Sequence, residues 1–146
     1  FIFGYDGDTP DSFGPTVDFA RRHGFYIAAF NHLTPFPGTP LYKRLESEGR
    51  LLYDAWWLDE RYSYNRIPFR PAGMAPDELQ RACLAARWEF YGWPSIINRS
   101  MDPVNRDNGF MWRNFYLINS LHRQDVSLRD HYPLGDEAWQ GSLLPA

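Results

Sequence analysis

The sequence predicts an α/β fold that begins with two β/α units and continues into a mainly helical carboxy-terminal region. Two nearly continuous apolar runs, residues 1–5 and 25–33, have the aromatic and β-branched composition of strands buried on both faces of a parallel sheet. An amphipathic segment of helical period separates them, and a second one follows at residues 40–48. This order is that of a βαβ unit, for which we expect a right-handed crossover.

The composition is that of a single globular domain and argues against several classes of protein. Of the 146 residues, 44% are hydrophobic and 18% aromatic, which is enough for a sizeable core. The net charge of −3 and the scattered basic residues argue against nucleic-acid binding. No apolar run reaches the roughly 18 to 20 residues of a membrane span, so a cytoplasmic location is the default expectation.

Cys83 is the single cysteine of the chain, so an internal disulfide is excluded. One thiolate cannot hold a structural zinc ion or an iron–sulfur cluster, because each of these takes several ligands. Cys83 lies on an apolar helical stripe, and we therefore expect a small buried side chain there and not a reactive thiol.

The first β/α unit joins a strand at residues 1–5 to a helix that ends near His23. Thr9 is predicted as the N-cap and Pro10 as the first helical residue. The Gly-Pro pair at residues 14–15 predicts either a kink or a regular helix that starts only at residue 15. The apolar face of this helix is expected to consist of Phe13, Val17 and Ala20.

A proline-rich loop joins the second strand to the second helix. Residues 31–51 read NHLTPFPGTPLYKRLESEGRL, with three prolines that restrict φ and one glycine that tolerates a positive φ. Thr39 and Pro40 have the form of an N-cap and a first helical residue, and Leu41 and Leu45 form the predicted buried stripe. Ligands of parallel α/β folds bind at the carboxyl ends of the strands, so this loop lies beside a candidate site.

An irregular segment and further helices are predicted for the rest of the chain. Residues 53–75 are rich in aromatic and arginine side chains and have no clean period, which fits either a substrate wall or simple packing. Residues 76–91 form the clearest helix, and Ser95 is predicted to cap a shorter one that ends near Ser100. Residues 109–123 form a last helix, whose wide apolar face predicts burial. The buried stripe of the helix at residues 76–91 is expected to be Leu79, Cys83, Ala86 and Phe90.

Two motifs resemble the last two β/α units of radical S-adenosylmethionine (SAM) enzymes. IFGYDGDTPDSF places an apolar strand before a Gly-Asp-Thr-Pro turn, and LTPFPGTPLYKRLESEGR follows it in the same order as in that family. The likeness is greatest to members that carry a cobalamin-binding domain, and it becomes looser beyond residue 52. The resemblance implies that residues 1–52 are the end of a partial (β/α)6 barrel and that residues 53–124 are an irregular aromatic-rich segment with a helical extension. From residue 125 onward the sequence pattern dissolves, which predicts a poorly ordered tail at residues 125–146.

The chemistry that the resemblance implies needs more than this chain supplies. The family uses a four-iron four-sulfur cluster, held by a C-x-x-x-C-x-x-C loop, to reduce SAM to a 5′-deoxyadenosyl radical, and part of the family also uses cobalamin. This chain lacks that loop. We therefore expect a fragment of an iron–sulfur oxidoreductase or methyltransferase that binds no cofactor and has no activity alone. Its partners would be the rest of its own polypeptide and a small-molecule substrate, and its uncovered strands would favour self-association.

The resemblance also points to particular residues, none of them catalytic or metal-ligating. The implied cofactor contacts, at the ends of both strands, are Ile2, Phe3, Gly4, Asn31, His32, Leu33 and Thr34. The candidate substrate-binding residues are Asp6, Asp8, Trp57, Tyr62 and Arg66.

Each of these assignments has a structural alternative. Gly4 could let a flat ligand lie against the backbone or could serve a turn. Asp6 and Asp8 could bind a cation or a substrate amine, but Asp8 could equally be a helix N-terminal charge, and a structural role is the favoured interpretation. His32 could donate a proton, although a structural hydrogen bond is the commoner role.

Two other classes of function stay open at the level of sequence. A stand-alone accessory or protein-interaction domain would use residues 53–70 as a partner surface and would form a compact monomer. A small nucleotide- or anion-binding α/β module would bind an adenosine ligand without any cluster.

Overall fold

The computed structural model describes residues 1–128, in which helices cover one side of a two-stranded parallel sheet. Strand β1 is Ile2–Phe3 and strand β2 is Asn31–His32, with Ile2 opposite Asn31 and Phe3 opposite His32. The parallel pairing with a helix between the strands agrees with the predicted βαβ unit. Most of the predicted tail, residues 129–146, lies outside the described residues.

Six α-helices occur in the described part of the chain, the first of them preceded by a 3₁₀ turn at Pro10–Ser12. They are α1 Phe13–Arg22, α2 Pro40–Ser47, α3 Pro76–Phe90, α4 Trp93–Ser100, α5 Pro103–Arg106 and α6 Gly109–Leu128.

Both strands are much shorter than the predicted runs at residues 1–5 and 25–33. In the observed register residue 31 faces β1, so the backbone groups of residues 28 and 30 face away from it. The Tyr91 hydroxyl donates to the Ala28 carbonyl (2.9 Å) and accepts from the Ala28 N–H (3.2 Å). Nε of Arg87 donates to the Phe30 carbonyl at 2.9 Å. Side chains of the α3 region thus satisfy the backbone groups that a further strand would otherwise pair with.

The prediction that the strands are buried on both faces is wrong for the described residues. Ile2 is 54% exposed and Ile27, in the run that leads into β2, is 50% exposed. Phe3 and Phe30 point the other way and are buried in the core. The helices therefore cover only one face of the sheet.

Helices α1 and α2 follow the sequence prediction closely. The buried residues of α1 are Phe13, Val17 and Ala20, and the helix starts at Phe13 without the predicted break at residues 14–15. Pro15 is tolerated because it lies in the first turn, where its missing N–H would have no helical partner. At α2 the predicted N-cap is confirmed, since Oγ1 of Thr39 accepts a hydrogen bond from the Tyr42 N–H at 3.2 Å.

Helix α3 buries the predicted stripe, which consists of Leu79, Cys83, Ala86 and Phe90. Cys83 is 3% exposed, and burial raises the pKa of its thiol to about 12, as suits a packing residue. Helix α4 begins earlier than predicted, with Gly92 and not Ser95 at its N-cap. Ser95 is instead buried, and its hydroxyl accepts a hydrogen bond from Nε of Arg99.

The prediction that the last helix is buried is wrong, because only one side of α6 meets the core. Its buried residues are Phe115, Asn119 and Val126, whereas Leu117 is 58% and Leu121 52% exposed. The helix also continues to Leu128, so residues 125–128 are helical and not part of an irregular tail.

Arg99 of α4 is a buried cation that ties four segments together. Its Nη1 donates to the carbonyls of Phe25 (2.7 Å) and Tyr26 (3.1 Å). Its Nη2 donates to the Phe90 carbonyl and to Oδ1 of Asn119, both at 3.0 Å. Burial lowers the pKa of Arg99 to about 10, so the guanidinium stays charged at neutral pH.

The segment between α2 and α3 is an ordered coil with little regular pairing, in agreement with the prediction. An antiparallel bridge joins Leu51 to Phe69, and Trp56, Tyr62 and Ile67 are buried beside it. Within residues 1–128 no helix combines the length and the apolar character needed to cross a membrane.

Candidate functional site

A cavity of about 310 Å³ lies where β1 and β2 end, and we name it the strand-end cavity. Five of the seven predicted cofactor contacts line it, namely Ile2, Asn31, His32, Leu33 and Thr34. The remaining wall comes from the loop after β2, the irregular segment and α3, through Phe36, Tyr64, Asn65 and Arg87.

The other two predicted cofactor contacts, Phe3 and Gly4, do not line this cavity. Phe3 is buried and its ring stacks on that of Phe13, with 4.0 Å between the centroids. Gly4 has φ +103°, and a Cβ there would lie 2.9 Å from Cδ2 of Leu79 and 3.2 Å from Cζ of Phe69. The bare Cα of Gly4 therefore faces packed side chains, and its role in the described chain is that of a turn and packing residue.

The two candidate carboxylates, Asp6 and Asp8, hold the turn after β1. Oδ2 of Asp8 accepts hydrogen bonds from the N–H groups of Gly4 (2.9 Å) and Tyr5 (3.0 Å). Asp6 forms ion pairs with Arg44 of α2 and with Arg50, each at 2.9 Å. The hydrogen bond from Arg50 is the main cause that lowers the pKa of Asp6. Both carboxylates thus have structural partners, but these are N–H groups of the turn for Asp8 and arginines for Asp6, and not the first N–H groups of a helix.

The predicted substrate residues of the irregular segment do not line the strand-end cavity. Tyr62 is buried against the ring of Trp56, with 5.0 Å between the centroids, and Trp57 packs on Tyr42 at 6.0 Å. Arg66 is exposed. Their contact with a substrate stays a prediction.

His32 is half-buried in the wall of the strand-end cavity. Its Nδ1–H donates to the Leu33 carbonyl at 3.0 Å, which leaves Nε2 as the acceptor of the neutral ring. Burial is the main cause that lowers the pKa of His32 below 6.5, and the Arg87 cation lowers it further.

The depressed pKa of His32 predicts an acid-sensitive contribution to stability. Below pH 6.5 the unfolded chain takes up a proton at His32 before the folded chain does, so stability falls as the pH drops from 6.5 through the folded pKa. We expect His32→Gln to flatten the curve of unfolding free energy against pH between about pH 7 and 5. Urea titrations across this range measure it.

The matched control for His32→Gln is His23→Gln, because His23 is exposed at the end of α1. We expect the curve of the control to keep the slope of the wild type. Parallel curves for wild type and His32→Gln would show that this histidine is not the source of the acid sensitivity.

Arg87 is one of four residues of the strand-end cavity that the sequence-based prediction missed, the others being Phe36, Tyr64 and Asn65. Besides the Phe30 carbonyl, it donates from Nη2 to Oδ1 of Asn31 and from Nη1 to Oδ1 of Asn65, both at 2.9 Å. Asn65 adopts φ +70°, a left-handed conformation that asparagine tolerates better than most residues. We name Arg87, Asn31 and Asn65 the Arg87 cluster.

A sequence signal for Arg87 did exist. Cys83, Arg87 and Tyr91 are four residues apart, so Arg87 sits beside the apolar stripe of α3 and not on its opposite face. A cation next to a buried stripe needs acceptors from another element, but periodicity alone does not say which element supplies them.

A second cavity, of about 320 Å³, lies on the other side of the Arg87 cluster, and we name it the side cavity. It shares Asn31, Tyr64 and Arg87 with the strand-end cavity. Its apolar wall consists of Ile27, Ala28, Ala29 and Val126, and its other residues are Tyr91, His122 and Asp125. Arg87 thus stands between two adjoining cavities of similar size.

Metal ligation finds no support in the described part of the chain. Within residues 1–128, no three or more His, Cys, Asp or Glu side chains are grouped so that they could hold a metal ion.

Comparison with known proteins relates the chain to methyltransferases. It is 30% identical over 125 residues to a bacteriochlorophyllide d C-12(1)-methyltransferase of Chlorobaculum tepidum. The aligned residues cover 85% of this chain and 25% of the relative. It is 25% identical over 101 residues to the C-8(2)-methyltransferase of the same organism, with coverages of 69% and 22%. An uncharacterized methyltransferase of a Synechocystis strain is 29% identical over 101 residues, with coverages of 68% and 18%.

The chain spans a quarter or less of the length of these three relatives. No protein-family model matches the chain, and no solved structure matches it. The likeness therefore supports a methyltransferase-type relationship of this chain.

Proposed function

We propose that this chain is the carboxy-terminal part of a radical SAM methyltransferase and forms part of its cofactor and substrate wall. The observation that carries the proposal is the strand-end cavity, because five residues assigned to the cofactor by motif resemblance alone line one cavity. The likeness to methyltransferases supports methyl transfer as the reaction class. The small share of each relative that the chain spans is consistent with a role as one part of a longer enzyme.

The residues of the strand-end cavity fit an adenosyl ligand. A volume of about 310 Å³ is at the lower end of the range for small-molecule sites. The amide group of Asn31, the Thr34 hydroxyl and Nε2 of His32 offer donors and acceptors of the kind that the edge of a purine needs. The chain's own residues would orient the adenosyl group and shield it from water.

The same residues do not fit an iron–sulfur cluster. Cys83 is the single cysteine, it is buried, and it lines neither of the two cavities. In the proposal, the rest of the polypeptide supplies the cluster, and no step of the chemistry is derived from this chain. The resemblance to members with a cobalamin-binding domain makes cobalamin the second cofactor to test.

The proposal is tested first on the gene and then on the whole enzyme. The coding sequence upstream of Phe1 should contain a C-x-x-x-C-x-x-C loop. The anaerobically reconstituted and reduced enzyme should cleave SAM to 5′-deoxyadenosine, or should transfer its methyl group to an acceptor and release S-adenosylhomocysteine. Asn31→Leu should raise the KM for SAM about tenfold, because the loss of one polar contact weakens binding by about that factor. The exposed control Arg81→Gln should leave the KM unchanged. A gene without the cysteine loop would overturn the proposal.

The second candidate function is a stand-alone interaction domain, which the exposed side of α6 favours. Phe110, Leu117 and Leu121 are each more than half exposed along this helix. Sedimentation of the chain alone distinguishes the two candidates, since a compact monomer favours the self-contained domain. Measurable binding of an adenosine ligand by the isolated chain would favour the small nucleotide-binding module, and we expect very weak binding or none.

A further inference from the structure

We propose that the side cavity binds a small organic molecule with an apolar body and a carboxylate, and that Arg87 receives the carboxylate. The inference rests on the proposed function only in identifying this molecule as the methyl acceptor. The binding site itself depends only on the charge of Arg87 and on the walls of the cavity.

Arg87 carries a positive charge that no carboxylate of the described residues neutralises at ion-pair distance. All its hydrogen bonds go to neutral oxygens, which are the Phe30 carbonyl and the amide oxygens of Asn31 and Asn65. Within residues 1–128, no ion pair contains Arg87. A guanidinium has five N–H donors and these contacts use three, so two donors stay available for a carboxylate.

The cluster around Arg87 also fixes the orientation of the guanidinium. Three acceptors on two segments, residues 30–31 and residue 65, hold its plane, so little side-chain entropy is lost when an anion binds. A preset planar fork matches the two oxygens of a carboxylate better than a flexible lysine would.

The walls of the side cavity describe the rest of the ligand. Ile27, Ala28, Ala29 and Val126 form an apolar surface, and the ring of Tyr64 borders it. The Tyr91 and His122 rings stack on one another with 5.3 Å between their centroids and add a flat aromatic wall. A flat apolar body of about ten to fifteen heavy atoms suits a cavity of this volume and lining.

Asp125 sets the direction in which such a molecule binds. It lines the side cavity but not the strand-end cavity, whereas Arg87 lines both. Because like charges repel, the carboxylate of the ligand should lie at Arg87, near the boundary of the two cavities. The acceptor would then border the cavity proposed for the adenosyl group.

The test uses three probes that share a naphthalene ring and differ in charge. They are 1-naphthoic acid, 1-naphthamide and 1-naphthylmethylamine, each titrated into the chain and followed by two-dimensional NMR. We expect a Kd of about 1 mM for the acid, as suits a ligand of that size, and binding about tenfold weaker for the amide and the amine. The shifted signals should be the backbone amides of residues 28–31 and Nε of Arg87.

Three variants separate the charge of Arg87 from its structural role. Arg87→Gln should remove the preference for the acid over the amide, and Arg81→Gln, an exposed change on the same helix, should keep it. Asp125→Asn removes the opposing charge without touching the Arg87 cluster. It should tighten binding of the acid about threefold, so the proposal can be tested even if Arg87→Gln does not fold.

Equal affinity for acid and amide, tighter binding of the amine, or shifts confined to α6 would each overturn the inference. None of these measurements uses SAM or a cluster. Failure of SAM cleavage in the whole enzyme would therefore refute the proposed function and leave this site standing. Absence of a carboxylate preference would refute the site alone.

Discussion

Replacing Arg99 with methionine is expected to lower the free energy of unfolding by about 3 to 5 kcal/mol. Methionine fills much of the space but donates no hydrogen bond. The Phe90 carbonyl and the amide oxygen of Asn119 would both lose the hydrogen bond that Nη2 of Arg99 donates in the core. The carbonyl of Phe25 would also lose its bond from Arg99. Urea denaturation followed by circular dichroism measures the change.

The matched control for Arg99→Met is Arg81→Met, which places the same change on the exposed side of α3. We expect the control to stay within about 0.5 kcal/mol of the wild type. Arg99→Lys keeps the charge, but a lysine cannot donate to all the acceptors of Arg99 at once. Its loss of unfolding free energy should therefore be most of that expected for Arg99→Met. If Arg99→Met lowers the free energy of unfolding by less than about 1 kcal/mol, then water or a local rearrangement must satisfy the acceptors that Arg99 leaves behind.

Replacing Gly4 with alanine is expected to destabilise the chain by about 2 to 4 kcal/mol. The added methyl group would lie 2.9 Å from Leu79, a fully buried residue, and the backbone would remain at φ +103°, where side chains are strained. Thermal or chemical unfolding of the chain in the absence of any ligand measures this. A Gly4→Ala chain that keeps the full stability of the wild type without any ligand would contradict both the backbone strain and the close packing.

Gly109→Ala is the control for Gly4→Ala. Gly109 opens α6 with no atom of the rest of the fold within 4 Å of an added Cβ, and its φ is not positive. Alanine favours helix over glycine by up to about 1 kcal/mol, so this variant should be neutral or slightly more stable. A loss in the control similar to that in Gly4→Ala would remove the packing argument.

The elements that the sequence predicts well are those whose signals are local. Thr39 followed by Pro40 marks the start of α2, and the period of Leu79, Cys83 and Ala86 marks the buried face of α3. Both signals depend on neighbours within one or two helical turns, so they survive without knowledge of the rest of the fold.

The features that the sequence predicts poorly depend on partners far along the chain. The outer edge of the run that leads into β2 is bonded by Arg87, whose contact with Phe30 spans 57 residues. The exposure of α6 depends on how much apolar surface the other helices leave for it to cover. The apolar pattern of α6 alone carries no information about that surface. Within the site, Asn31 and His32 could be predicted from the strand motif. Arg87 could not, because only tertiary packing brings it to β2.

The contacts of Arg87 and Tyr91 with residues 28–30 also set an earliest time for folding during synthesis. These contacts join groups 57 and 63 residues apart. A ribosome that adds about 5 to 20 residues per second needs roughly 3 to 13 s to make the intervening chain. In that interval the aromatic run at residues 25–33 has left the peptidyl-transfer centre without the helix that will satisfy its outer backbone groups. This run is therefore a stretch of the nascent chain that must wait for partners made later.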